Sequence, residues 1–137
     1  DPATAFVASF VGENNPFPGT VSRTVGDHAL VETAHGPLRG RNPKGLKPGD
    51  KAILFVRPEA FSVGAGAAEA TIESTVETIA FEGNTSHAYL KGKGTKSISL
   101  TIGRQSDHAL PGQGATLAAS YDPTKALVLP HGRLARE

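Results

Sequence analysis

The side chains able to do chemistry in this sequence do not gather into a reaction centre. Its five histidines (His28, His35, His87, His108 and His131) show no i,i+2 or i,i+4 pairing and no adjacent carboxylate cluster, the spacings that metal sites use. Serine and threonine are plentiful, but no G-x-S-x-G elbow presents a nucleophile to a base. Glu73 and Glu77 fall on one face of an expected strand and read as a solvated face rather than an acid/base pair. Gly92-Lys93-Gly94-Thr95-Lys96-Ser97 has the residue types of a phosphate loop without its spacing. A strand follows it, where a phosphate loop needs a helix N-terminus. It reads as a lysine-bearing hairpin that keeps a sheet edge soluble. Lys91, Lys93 and Lys96 with Tyr89 are too sparse for a nucleic-acid surface.

Composition narrows the classes further. Fourteen Lys and Arg against 13 Asp and Glu leave no basic excess for binding phosphates. The absence of Cys removes disulfides, thiolate metal sites and cysteine nucleophiles together. No apolar run reaches the roughly 20 residues of a membrane span. At 137 residues the chain is one domain or two very small ones. Sixteen Gly and 10 Pro imply many turns. The chain begins at Asp1 and contains no Met, so it reads as a piece of a longer protein.

The elements that would carry these residues are mostly strands. Residues 1–12 read as one short helix with Asp1 as cap, Pro2 in its first turn and Gly12 at its exit. Phe6 with Phe10 and Val7 with Val11 give it a single apolar face. Strands are expected over 19–25, 28–33, 36–40, 51–57, 71–81, 85–91, 96–102, 115–121 and 126–129. Ala52 to Val56 is apolar on both alternations, as in a strand covered on both faces. Ile98, Leu100 and Ile102 alternate with Ser97, Ser99 and Thr101, the pattern of a half-buried strand. Short strands separated by turn signals point to an all-β barrel or sandwich.

An internal echo suggests two copies of one small β unit. Leu46-Lys47-Pro48-Gly49-Asp50-Lys51-Ala52-Ile53-Leu54 matches Ala109-Leu110-Pro111-Gly112-Gln113-Gly114-Ala115-Thr116-Leu117, each a Pro-Gly turn feeding a strand. A weaker echo relates Phe10-Val11-Gly12-Glu13-Asn14 to Phe81-Glu82-Gly83-Asn84-Thr85. The expected division is 1–12 as a linker helix, 13–63 as the first half, 64–70 as a small-residue linker and 71–137 as the second half.

Four segments, in order along almost the whole chain, resemble one family. Residues 2–14, including Phe6, Phe10, Gly12, Glu13 and Asn14, are similar to the segment that joins the ATPase domain of ABC importer ATP-binding subunits to their C-terminal domain. Arg57-Pro58-Glu59 resembles a motif of that domain, the transport-associated OB (TOBE) domain. Pro48-Gly49-Asp50 precedes it at the family's distance, and Ile79-Ala80-Phe81-Glu82-Gly83 resembles the start of its second half.

The resemblance implies an all-β fold of tandem OB-like small barrels with interleaved halves and one short leading helix. It implies a regulatory and dimerisation domain that supports ATP-driven solute uptake, without catalysis of its own and with no cofactor or metal. ATP and Mg would belong to the ATPase domain. The partners would be a second copy of the subunit and membrane permease subunits, at the cytoplasmic face of a bacterial inner membrane, with no nucleic acid. The Gly12-Glu13-Asn14 form of the linker is similar to that of polyamine, ferric-iron and phosphonate importers, and the polyamine branch is the expected one. Gly12, Glu13, Asn14, Arg57, Pro58, Glu59 and Gly83 are the expected structural or interface residues. The residues alone leave two other readings open, an OB-like oligonucleotide-binding module and a β domain that senses a small ligand or oxyanion.

Overall fold

The structure is a computed structural model and describes residues 14–93, 97–103 and 112–131. The expected helix over 1–12, with Gly12 and Glu13, lies outside the described residues. The described residues form ten strands: β1 (Asn15–Val25), β2 (His28–Thr33), β3 (Gly36–Arg41), β4 (Lys51–Val56), β5 (Ser62–Val63), β6 (Thr71–Glu82), β7 (Thr85–Leu90), β8 (Ile98–Gly103), β9 (Thr116–Ser120) and β10 (Ala126–Pro130). Short 3₁₀ turns at Pro58–Ala60, Ala68–Ala70 and Pro123–Lys125 join some of them.

Strands β1-β2-β3-β10-β4 close into a barrel, and β5-β9-β6-β7-β8 form a five-stranded sheet. The two units share one plan. In each, a long bulged strand forms a hairpin with the next strand. The bulge falls between Val21 and Arg23 in β1 and between Val76 and Thr78 in β6. In each, a fourth strand returns beside the long one, β4 against β1 and β9 against β6.

The fifth strand is exchanged. The strand that follows β4 crosses to pair with β9, and the strand that follows β9 crosses back to pair with β4. A division of the chain at 64–70 therefore does not coincide with the division between sheets: β10, from beyond that linker, closes the barrel, while β5, from before it, edges the second sheet. The linker itself ends in the 3₁₀ turn Ala68–Ala70.

The duplicated turn is present, in a different register from the sequence echo. Gly49 N–H donates to the Val21 carbonyl (2.8 Å) and Val21 N–H to the Asp50 carbonyl (2.9 Å). In the second unit Gly114 N–H donates to the Val76 carbonyl and Val76 N–H to the Ala115 carbonyl, both at 2.8 Å. Gly49 (φ 96°) thus corresponds to Gly114 (φ 87°), not to Gly112. Both need the left-handed backbone that glycine adopts without a Cβ penalty. The structural match is offset from the sequence echo by two residues, and a shift of two leaves every strand residue on the same face. The weaker echo also corrects. Gly83 (φ 60°) opens the two-residue loop between β6 and β7, and its counterpart is Gly26 (φ 59°) between β1 and β2 rather than Gly12.

One apolar core runs through both units, from Phe17, Val31, Leu38 and Leu54 in the barrel to Ile72, Leu90 and Leu100 in the second sheet. The expectation for β4 holds on both faces. Ala52, Leu54 and Val56 join this core, while Ile53 and Phe55 form a second buried cluster with Leu127 and Leu129 of β10.

Candidate functional site

A set of specific contacts lies where the barrel meets the second sheet. Arg57-Pro58-Glu59 stands there. Arg57 is extended (φ −68°, ψ 148°), Pro58 opens the 3₁₀ turn and Phe61 is buried just beyond it. Proline suits the first turn position because its fixed φ is preset and its missing N–H would have no partner there. Arg57 Nη1 and Glu59 Oε2 lie 4.0 Å apart on the half-exposed outer side. The turn packs against β8 and aims the chain from the barrel into β5.

Its counterpart in the second unit is Asp122-Pro123-Thr124, which the sequence reading did not single out. Proline again opens a 3₁₀ turn, here packed against β3, and the chain passes into β10. The Asp122 carboxylate accepts from Thr124 N–H (2.9 Å) and Thr124 Oγ1 (2.8 Å). These bonds, the backbone one foremost, hold its pKa below the usual carboxylate value. The two Pro turns are the corners at which each unit hands its fifth strand to the other.

A row of rings crosses the same junction. His35 meets Phe17 edge to face (5.5 Å), Phe17 meets Phe61 (6.4 Å) and Phe61 meets Tyr121 (5.9 Å). Tyr121 Oη donates to the Arg39 carbonyl at 2.8 Å, tying the end of β9 to β3. Burial pushes its phenol well above the ordinary range.

Asn15 pins the other side, and the sequence reading passed over it for its neighbours Glu13 and Asn14. Its Nδ2 donates to the carbonyls of Val56 (3.1 Å) and Ser99 (2.8 Å), and its Oδ1 accepts from Ser99 N–H (2.7 Å). One side-chain amide therefore joins β1, β4 and the edge strand β8. Asn14 is half-buried in the bend that leads into β1. No sequence signal marked Asn15, since a polar residue before Pro16 reads as a turn.

Near this junction is an open depression of about 560 Å³ lined by Glu73, Ser74, Thr75, Lys91, Gly92, Lys93 and Thr116. Ser74 Oγ donates to the Lys91 carbonyl at 2.5 Å, and Ser97 Oγ donates to Glu77. Part of the lysine hairpin, residues 94–96, lies outside the described residues, and β8 follows it. The element behind it is a strand, not the helix N-terminus that a nucleotide phosphate loop uses. Among the described residues no three His, Asp or Glu side chains are grouped to hold a metal ion. No helix among them is long and apolar enough to cross a membrane. Gly83 is remote from the junction, at the tip of a hairpin that also carries Phe81, 78% exposed.

Comparison with known proteins follows from this duplicated, strand-exchanged plan. A family model described as "TOBE domain" matches residues 54–129, more than half of the chain. The chain belongs to the TOBE-domain family. A spermidine/putrescine import ATP-binding protein, PotA, of Rubrobacter xylanophilus is 30% identical to it over 133 residues, covering 93% of this chain and 34% of that protein. PotA of Methylococcus capsulatus is 32% identical over 136 residues, covering 95% and 35%. An Fe(3+) ions import ATP-binding protein, FbpC, of Agrobacterium fabrum is 39% identical over 66 residues, 47% of this chain and 18% of that protein. This TOBE chain spans about a third of the length of the PotA relatives. Among solved structures, the cytoplasmic molybdate-binding protein ModG superposes with a TM-score of 0.70 at 18% identity, covering 83% of this chain and 94% of ModG. At that identity the likeness is one of fold.

Proposed function

We propose that this TOBE domain is the regulatory and dimerisation domain of an ABC importer ATP-binding subunit, and that the importer carries a polyamine. The observation that carries the reading is that two polyamine-import ATP-binding proteins align with nearly all of this chain while the chain accounts for a third of their length. On this reading ATP and Mg are bound by the rest of the subunit, and these residues do no chemistry. The domain works at the cytoplasmic membrane face through a second copy of the subunit and the permease. Arg57, Pro58 and Glu59 serve it as one of two strand-exchange corners, not as ligands. FbpC, a ferric-ion protein, supports the importer class while offering a different cargo.

Labelled-spermidine uptake in cells from whose gene codons 14–131 have been deleted tests the importer assignment. Uptake should fall severalfold. Unchanged spermidine uptake with lost ferric-iron uptake would reassign the cargo, and loss of neither would overturn the importer reading. Sedimentation equilibrium of the 137-residue chain across a concentration series tests the dimer separately. A reversible dimer is expected, and a monomer throughout would show that these residues do not carry assembly by themselves.

A further inference from the structure

His35 sits in the short turn between β2 and β3, at the end of the ring row, and faces the loop between β7 and β8. Its Nε2 accepts from the Lys93 backbone N–H at 3.2 Å, a bond that passes from the barrel to the second sheet. The backbone of the turn is fixed from behind: Thr33 Oγ1 donates to the Gly36 carbonyl (2.8 Å) and accepts from His35 N–H (3.0 Å). The ring is fixed from the side by Phe17 of β1. With Nε2 as acceptor, the neutral imidazole carries its proton on Nδ1, which is buried without a hydrogen-bond partner.

We propose that His35 is a proton-operated latch that holds the backbone at Lys93, just beyond β7 of the second sheet, against the barrel. A second proton must go to Nε2, where it would confront the Lys93 N–H donor to donor. The bond cannot survive that, and Lys93 must move or turn its amide away. Of the elements around the ring, β1 contributes the uncharged Phe17 and its own turn the Thr33 hydroxyl. Among the described residues, the β7–β8 loop contributes Lys93, whose ammonium acts on the imidazole. Burial first, and then this ammonium, keep the ring's pKa below its usual value of 6.5. The latch is therefore closed at neutral pH and opens on acidification. Lys91, Gly92 and Lys93 form one wall of the depression beside β6 and β9, so opening shifts that wall relative to Glu73 and Thr116. The inference rests on these contacts alone and stands apart from the importer reading.

Proton–nitrogen correlation NMR of the 137-residue chain, titrated from pH 7.5 downward, tests it. The Lys93 amide should move upfield with the same midpoint as the His35 ring, below 6.5. Its protection from hydrogen exchange should fall by roughly threefold to tenfold, the equilibrium equivalent of one net hydrogen bond. His35→Gln keeps a neutral acceptor and should abolish the Lys93 titration. A His35 ring that titrates while the Lys93 amide stays still would overturn the proposal in the wild-type chain alone. An undiminished Lys93 titration in His35→Gln would do the same.

Discussion

Asn15 gives all of its side-chain amide to main chain, with two donations and one acceptance across three strands. Replacement by Ala leaves Ser99 with an N–H and a carbonyl that have lost this partner at a part-buried edge, at a cost of about 2–4 kcal/mol. Urea unfolding of Asn15→Ala should show that loss as a lower midpoint with an unchanged slope. Tyr121 supplies a pH-dependent counterpart. Its phenol is raised above the ordinary 10.0 by burial, so the unfolded chain releases that proton at a pH where the folded chain still holds it. The associated stability is fully present below about pH 10 and is lost as pH rises through the alkaline range. Tyr121→Phe should cost about 1 kcal/mol at neutral pH through the lost bond to Arg39. Thermal melts between pH 9 and 11 should show a shallower decline for this variant than for the wild type.

At the scale of elements, what the sequence made legible was burial on one face or two. The alternation of Ile98, Leu100 and Ile102 marks β8, all three being buried, and the unbroken apolar run of β4 marks a strand covered on both sides. Strand ends were less visible. β1 starts at Asn15 rather than Gly19, taking in Pro16 and Pro18, because residues 15–18 pair with β4 alone and a missing N–H can face the side without a neighbour. At Gly19 the second neighbour arrives, and a Cβ there would stand 2.0 Å from the Glu32 carbonyl oxygen. Gly19→Ala should therefore destabilise by more than about 2 kcal/mol, since backbone rather than a flexible side chain must give way. Its melting temperature in differential scanning calorimetry should drop accordingly. A drop of a degree or less would mean that β2 can withdraw at little cost. The two-residue strand β5 and the exchange of fifth strands had no local signal. Periodicity reports which face of a strand is dry, not which sheet receives it. The Pro58 corner was legible through family resemblance, whereas its twin at Pro123 becomes visible only when the two units are superposed in the register that Gly49 and Gly114 set.

For the whole molecule, exchange makes the two units a single object. β10 fills the barrel between β3 and β4, and its Ala126, Leu127, Val128 and Leu129 are all buried. A chain cut after residue 125 should lose cooperative unfolding in both units, because the core is shared. Near-ultraviolet circular dichroism of that truncation should collapse. An intact signal from the second sheet would show that it folds alone. The same arrangement governs synthesis on the ribosome. The first four strands emerge early, yet the gap between β3 and β4 stays open until the strand at 126–130 has left the exit tunnel. A nascent chain that stops short carries unpaired strand edges and uncovered apolar side chains, the features that chaperones and proteases act on. Strand β10 thus certifies that the message was read through all ten described strands.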